Sequence, residues 1–284
     1  MIYLQSITFP GAELETNFIL GIKRTCYDSY YPFKVLSGHD LHRLDFDTVT
    51  ILYGGNGSGK STALNIIAEK TCLHRDSIYN KSNFFPDYLK LCHLNIEEDI
   101  PPHSRIITSD DVFDYMLNIR NLNEGIDQRR EELFKEYLEA KYSSFQMRSL
   151  SDYDQLRKVN NSRRRTQSRF VREELIDNVR EYSNGESAYR YFTEKIGENG
   201  LYLLDEPENS LSPKRQIELL RFLEESARFF GCQFIISTHS PFLLSMRSAR
   251  IYNLDKNPVC MERWTELENV RTYFDFFKDH EEEF

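Results

Sequence analysis

Apolar and polar positions alternate from the first residue. Met1-Ile2-Tyr3-Leu4-Gln5-Ser6-Ile7-Thr8-Phe9 has the two-residue period of a strand. Three compact apolar runs follow, at Val49–Tyr53, Leu201–Leu204 and Phe234–Ile236, and read as buried strands. Between the first and second run the period changes. In 124–142, Ile126, Leu133, Phe134, Tyr137 and Leu138 recur at helical spacing, and in 166–182 Phe170, Val171, Leu175 and Val179 do the same. The polar segment 143–162 between them reads as loop-rich. Strand and helix alternation on both sides predicts the α/β class with a mainly parallel sheet. The organisation expected is one domain over 1–284 with a helical insertion at 101–182.

Composition narrows the class. A hydrophobic fraction of 40% and a charged fraction of 29% over 284 residues suit a globular protein with a sizeable core. No run approaches the ~20 apolar residues of a membrane-spanning helix. The N-terminal strand pattern lacks the basic flank and cleavage site of a secretion signal. Five scattered cysteines, with no C-x-x-C pair, suggest reduced thiols, and the expected compartment is the cytoplasm. A net charge of −9 argues against a protein that coats nucleic acid.

Gly54-Gly55-Asn56-Gly57-Ser58-Gly59-Lys60-Ser61 fits G-x-x-x-x-G-K-[ST], between a strand-like run and a helix carrying Leu64, Ile67 and Ala68. Glycines let successive N–H groups curl inward around phosphate oxygens, and the helix start adds partial positive charge. Lys60 is expected to reach the β- and γ-phosphates, and Ser61 to ligate Mg²⁺. Thr62, next on the helix, packs or caps beside them. The cofactors expected are therefore ATP and Mg²⁺.

Leu201-Tyr202-Leu203-Leu204-Asp205-Glu206 is an apolar strand ending in two carboxylates. Beside a phosphate loop, Asp205 is expected to hold Mg²⁺ and Glu206 to act as general base on water. A strand ending in two solvated acids is the plainer alternative.

Ser183-Asn184-Gly185-Glu186 lies about twenty residues before Asp205 and opens a helix expected over 186–195. Glu208-Asn209-Ser210-Leu211-Ser212-Pro213 follows the acids, and Ser237-Thr238-His239-Ser240-Pro241 follows the last apolar run. In this order and spacing the motifs resemble ABC-type ATPases, over roughly 50–65 and 183–245. Their wording is similar to the soluble RecF, Rad50 and SMC-like branch and its compact bacterial AAA-family members. The resemblance implies a P-loop NTPase fold, an ABC-ATPase head with N-terminal antiparallel strands. It implies ATP hydrolysis, a homodimer closing around MgATP, and completion of each site by Ser183, Gly185 and Glu186 of the other subunit. It also implies a switch histidine, His239, at the γ-phosphate; alone, a histidine after an apolar run is usually structural. Several members of that branch serve DNA repair or phage defence with partner proteins.

There are departures. No Q-loop glutamine is evident. Thr108-Ser109-Asp110-Asp111 stands where that loop belongs, so Asp110 or Asp111 either meets the metal or opens a helix as an acidic first turn. No long coiled coil separates the lobes. Arg157, Lys158, Arg163, Arg164, Arg165, Arg169 and Arg172 form a basic stretch that suits DNA, RNA or an acidic effector protein, or a solvated face. Tyr27, Tyr30, Tyr31 and Phe33 either offer adenine a stacking ring or form a hairpin core. The rival functions are a membrane transporter's ATP-binding subunit and a nucleotide-gated adaptor for a nuclease or toxin.

Overall fold

The computed structural model describes residues 1–23, 26–145, 152–175 and 184–283. The first half carries β1 (Leu4–Thr8), α1 (Ala12–Gly21), β2 (Arg43–Asp45), β3 (Val49–Tyr53), α2 (Lys60–Lys70), α3 (Phe85–Leu91), β4 (His93–Ile96) and β5 (Arg105–Thr108). Then come α4 (Ser109–Tyr142), α5 (Tyr153–Arg164), α6 (Gln167–Glu174), α7 (Asn184–Lys195), β6 (Leu201–Asp205) and α8 (Pro213–Phe229). The chain continues through β7 (Gln233–Ser237), α9 (Pro241–Leu244), β8 (Arg250–Asn253), β9 (Cys260–Met261) and α10 (Glu268–Asp279).

Among the described residues there are two sheets. β1 is the centre of an antiparallel sheet of order β2-β1-β4. The larger sheet runs β5-β6-β7-β3-β8-β9, parallel from β5 to β8 and antiparallel at β9. β3 and β7 are buried at every position, as a parallel sheet covered on both faces requires. Because β6, β7 and β3 are parallel neighbours, Asp205, Ser237 and Tyr53 all end at the same rim. Ligands of open α/β sheets bind at that carboxyl rim. Gln233 ties the sheets together: its Oε1 accepts from the Tyr3 and Leu4 amides at 2.8 and 2.9 Å, and its Nε2 donates to Leu4 O at 2.8 Å.

The chain divides into two compact units, Met1–Phe113 with Asn184–Phe284, and Asp114–Ser183. The expected insertion boundary at 101 is too early, since Arg105–Thr108 is a strand of the large sheet paired to β6. Its Ile106 and Ile107 are buried; four residues are too few to show a period amid charged neighbours.

In the second unit Leu133, Tyr137, Phe170 and Val171 form the core, with Phe134 and Leu175 against it. The helical period selects these six positions, but it also selects Leu138, which is exposed, and Ile126, which is half-buried outside this core. The loop-rich reading of 143–162 is corrected at α5, which buries Val159 and Ser162. That helix is polar on most faces and is tied down by polar contacts, such as Arg163 Nη2 to Ser143 O at 2.7 Å, which hydrophobic periodicity does not register. α6 runs Gln167–Glu174; the rest of the expected helix from 176 to 182, with Val179, lies outside the described residues.

Candidate functional site

The phosphate loop joins β3 to α2, the strand–loop–helix context the motif requires. Gly59 sits at φ 93°, and a Cβ there would meet Leu36 Cδ2 at 2.9 Å. Glycine is thus required by conformation and by space. Gly57, at φ 86°, faces open space. The Ser58 hydroxyl is buried with no hydrogen-bond partner. Lys60, 5% exposed, donates to Gly54 O at 2.7 Å and Gly55 O at 3.1 Å. Burial pushes its ammonium pKa down, while Glu206, Asp205 and Asp255 pull it back up.

Across the loop stands the end of β6. Asp205 Oδ1 accepts from Ser61 Oγ at 3.1 Å and also from Ser237 Oγ. Burial pushes the Asp205 carboxyl pKa up, against the lowering by the Ser237 and Ser61 hydroxyls. Glu206 is left-handed, at φ 49° and ψ 55°. This conformation is uncommon for a residue with a side chain, and strain of this kind concentrates at functional sites. It turns the carboxylate out of the strand line. Glu206 Oε1 lies 3.9 Å from Lys60 Nζ and 3.4 Å from His239 Nε2, and Oε2 accepts from Asn209 Nδ2 at 3.0 Å. The His239 Nε2 atom is buried without a hydrogen-bond partner. One rim therefore holds a loop cation, a hydroxyl–carboxylate pair, a second carboxylate and an imidazole.

These residues fit a magnesium–nucleoside triphosphate. The loop has open space at Gly57 and an orphaned hydroxyl at Ser58 beside a buried ammonium. Among the described residues no group of three or more His, Cys, Asp and Glu is placed to hold a metal by itself. Magnesium does not need one: a hydroxyl and a carboxylate, completed by phosphates and water, is its usual setting.

Other expected residues fall elsewhere. Gly185 and Glu186 are in the first turn of α7. Gly185 lies beside Ser210, Ser212 and Arg215, and Glu186 pairs with Arg215 at 3.1 Å. Ser183 lies outside the described residues. Asp111 Oδ2 accepts from the Thr108 amide at 2.6 Å and the Thr108 hydroxyl at 2.9 Å, as at an acidic helix start, while its Oδ1 is buried without a hydrogen-bond partner. Of the aromatics, Phe33 is core, packing on Tyr88 at 5.0 Å, and the partly buried tyrosines lean on that core: Tyr27 and Tyr30 on Phe84 at 4.8 and 5.1 Å, Tyr31 on Phe85 at 6.1 Å. They pack from a loop and not from a hairpin. Tyr31 also donates its hydroxyl to Thr62 Oγ1 at 3.2 Å, which ties Thr62 to packing. In the second unit, Lys158 pairs with Glu136 and Arg165 and Arg169 with Glu173, while Arg157, Arg164 and Arg172 are exposed.

Sequence reasoning overlooked Asp255. Its Oδ1 and Oδ2 accept from the Gly55 amide at 2.7 and 2.8 Å, which pins the phosphate loop from β8's end. The signal was present: Ile251-Tyr252-Asn253-Leu254-Asp255 repeats the apolar-run-then-acid pattern of Leu201–Asp205.

The structure is similar to the SMC head domain of Thermotoga maritima, at 13% identity over 92% of this chain and 99% of that one, with a TM-score of 0.40. It is similar to the Smc head domain of Pyrococcus furiosus with bound ScpA C-terminal domain, at 12% identity over 84% and 95%, with a TM-score of 0.39. A nucleotide-free ATP-binding cassette from an ABC transporter matches at 14% identity over 82% and 87%, with a TM-score of 0.39. Overlaps this loose say nothing about chemistry. No curated protein sequence matches the chain. The family described as "AAA domain, putative AbiEii toxin, Type IV TA system" matches residues 82–245, more than half of the chain. That match takes in the acidic strand end and the histidine whose geometry is given above, and the chain belongs to this AAA-domain family.

Proposed function

We propose that this chain binds ATP with magnesium and hydrolyses it, and that two copies close around the nucleotide to drive a partner protein or a DNA transaction. The observation that carries the reading is the convergence of Lys60, Ser61, Asp205, Glu206 and His239 at one rim of the sheet. Loop amides and Lys60 would hold the phosphates, and Ser61 and Asp205 would hold the metal. When bound, magnesium neutralises charge on the phosphate oxygens. Glu206, 3.4 Å from His239 Nε2, accepts the proton of the attacking water. His239 donates from Nε2 and steadies charge at the transferred phosphate.

Glu206→Gln is the test. It keeps the site's shape and removes the base. ATP affinity is expected to stay within about twofold, with turnover falling by about 10²- to 10⁴-fold, and an ATP-dependent dimer is expected to accumulate on a sizing column. Normal turnover in this variant removes Glu206 from the chemistry. The shared site has its own test in mixtures of Ser183→Arg with Lys60→Ala, in which recovered activity supports completion across subunits. Turnover with and without DNA separates a DNA-stimulated ATPase from an adaptor that reports nucleotide to an effector.

A further inference from the structure

The backbone of His239 is gripped on both sides of its Cα by side chains outside the reacting set. Its amide donates to Glu208 Oε1 at 2.6 Å, and the Ser240 amide adds to the same oxygen at 3.1 Å. Its carbonyl accepts from Asn269 Nδ2 at 2.6 Å. The two bonds act on successive peptide units, so rotation about φ and ψ of His239 would break one or the other. Glu208 belongs to the turn after β6, two residues beyond Glu206. Asn269 is the second residue of α10, and its own amide donates to Tyr53 Oη at 3.2 Å. Tyr53 is the last residue of β3, directly before the phosphate loop. Thus the acidic strand end, the phosphate-loop strand and α10 all converge on one residue. The imidazole itself is held more lightly: Nε2 is 3.4 Å from Glu206 without a hydrogen bond, and the ring meets the Tyr53 ring edge-on at 6.4 Å. The backbone fixes the direction in which its Cβ leaves the chain. Burial raises the Glu208 carboxyl pKa, against the lowering by the His239 amide bond, and its Oε2 is buried without a hydrogen-bond partner.

We propose that Glu208 and Asn269 are positioning residues that together lock the His239 backbone and aim its imidazole at the phosphate undergoing transfer. The proposal rests on the ATPase reading above. It adds that α10, through Asn269, belongs to the hydrolytic apparatus.

The test compares Glu208→Gln, Glu208→Leu and Asn269→Ala in the full chain. Gln keeps an acceptor oxygen; Leu keeps bulk without one. Hydrogen exchange at the His239 amide is read without nucleotide, and kcat and ATP Kd are read with MgATP. Exchange is expected to quicken by about 100-fold in Glu208→Leu and about 10-fold in Asn269→Ala, and to stay close to wild type in Glu208→Gln. Turnover is expected to fall by about 10- to 100-fold in Glu208→Leu and Asn269→Ala, with ATP Kd within about twofold. In a His239→Ala background, adding Asn269→Ala is expected to cost less than about twofold more. Unchanged exchange in both Glu208→Leu and Asn269→Ala overturns the proposal, as do losses that multiply in the His239→Ala background or ATP affinity that falls in step with turnover. Quickened exchange in a protein whose wild type hydrolyses no ATP refutes the ATPase reading instead and leaves the clamp as a structural fact. Should Glu208→Leu fail to fold, Glu208→Gln and Asn269→Ala carry the same readouts.

Discussion

Ser61 Oγ donates to Asp205 Oδ1 at 3.1 Å, joining the first turn of α2 to the last residue of β6. A buried carboxylate held by hydroxyls, with its pKa raised, is poised to gain from a cation. Its folded pKa lies above its unfolded one. Its contribution to stability is therefore most favourable at low pH and declines as pH rises through the ordinary carboxylate range toward the folded pKa. Asp205→Asn lacks that decline. It is expected to be at least as stable as wild type at pH 7 without magnesium, in urea unfolding, and to lose any stabilisation by MgATP over ATP alone.

Lys60 is buried, and its ammonium donates to the Gly54 and Gly55 carbonyls and faces Glu206. On the proposed reading, removing it takes a charge-assisted contact from the phosphates. Lys60→Ala is expected to weaken ATP binding by about 10- to 100-fold in calorimetry, and unchanged affinity would remove the loop lysine from the site.

Glu206 occupies a left-handed conformation that costs a side chain roughly 1 kcal/mol. Glycine relieves the strain but frees the unfolded chain. Glu206→Gly is expected to be as stable as wild type, or up to about 1 kcal/mol more so, while turnover falls by at least about 100-fold. Chemical denaturation and a phosphate-release assay read the two effects separately.

Asp255 gives the glycine-rich loop an anchor and places a negative charge beside the proposed nucleotide site. Asn at this position keeps an acceptor for the Gly55 amide and removes the charge. Asp255→Asn is expected to bind ATP about threefold more tightly, whereas Asp255→Ala, which lacks the acceptor, binds more weakly than Asp255→Asn. Equal affinities in the two variants would show that the anchor does not shape the loop.

Asp76 meets Lys195 Nζ at 3.0 Å, Tyr191 Oη at 3.1 Å, His74 Nε2 at 2.9 Å and Arg105 Nη1 at 3.4 Å, joining α7 to the edge of the large sheet. Burial raises its pKa, but Lys195, Tyr191 and Arg105 outweigh that and hold it below the ordinary value. A depressed folded pKa adds stability above the unfolded pKa and loses it as pH falls through the folded one. The carboxylate is 35% exposed, so solvent screens the effect. Asp76→Asn is expected to be less stable by about 0.5–1 kcal/mol at pH 7, with the difference closing below the ordinary carboxylate range in pH-dependent unfolding.

The sequence by itself determined the local parts of the site. Gly54 to Ser61 dictates a glycine-rich turn between a strand and a helix start, because its backbone requirements act within eight consecutive residues. Leu201–Asp205 and Phe234–Ser237 announce buried strands that end in polar groups, because a strand covered on both faces reads as a near-continuous apolar run up to its rim. The helix core at Leu133, Tyr137, Phe170 and Val171 was legible for the same reason, since a period is a local property.

What only the tertiary structure decided comes from contacts between distant residues. The strand order set Asp205 beside Ser61 and turned Glu206 toward His239. The Asp255 anchor on Gly55 and the Asn269 hold on His239 depend on how β8 and α10 return to the rim. Tyr27 to Phe33 look equally suited to a base or a core until Phe84, Phe85 and Tyr88 pack against them. Periodicity records which face of a segment avoids water; it carries no record of which other segment covers that face, because burial depends on apolar area and not on partner identity.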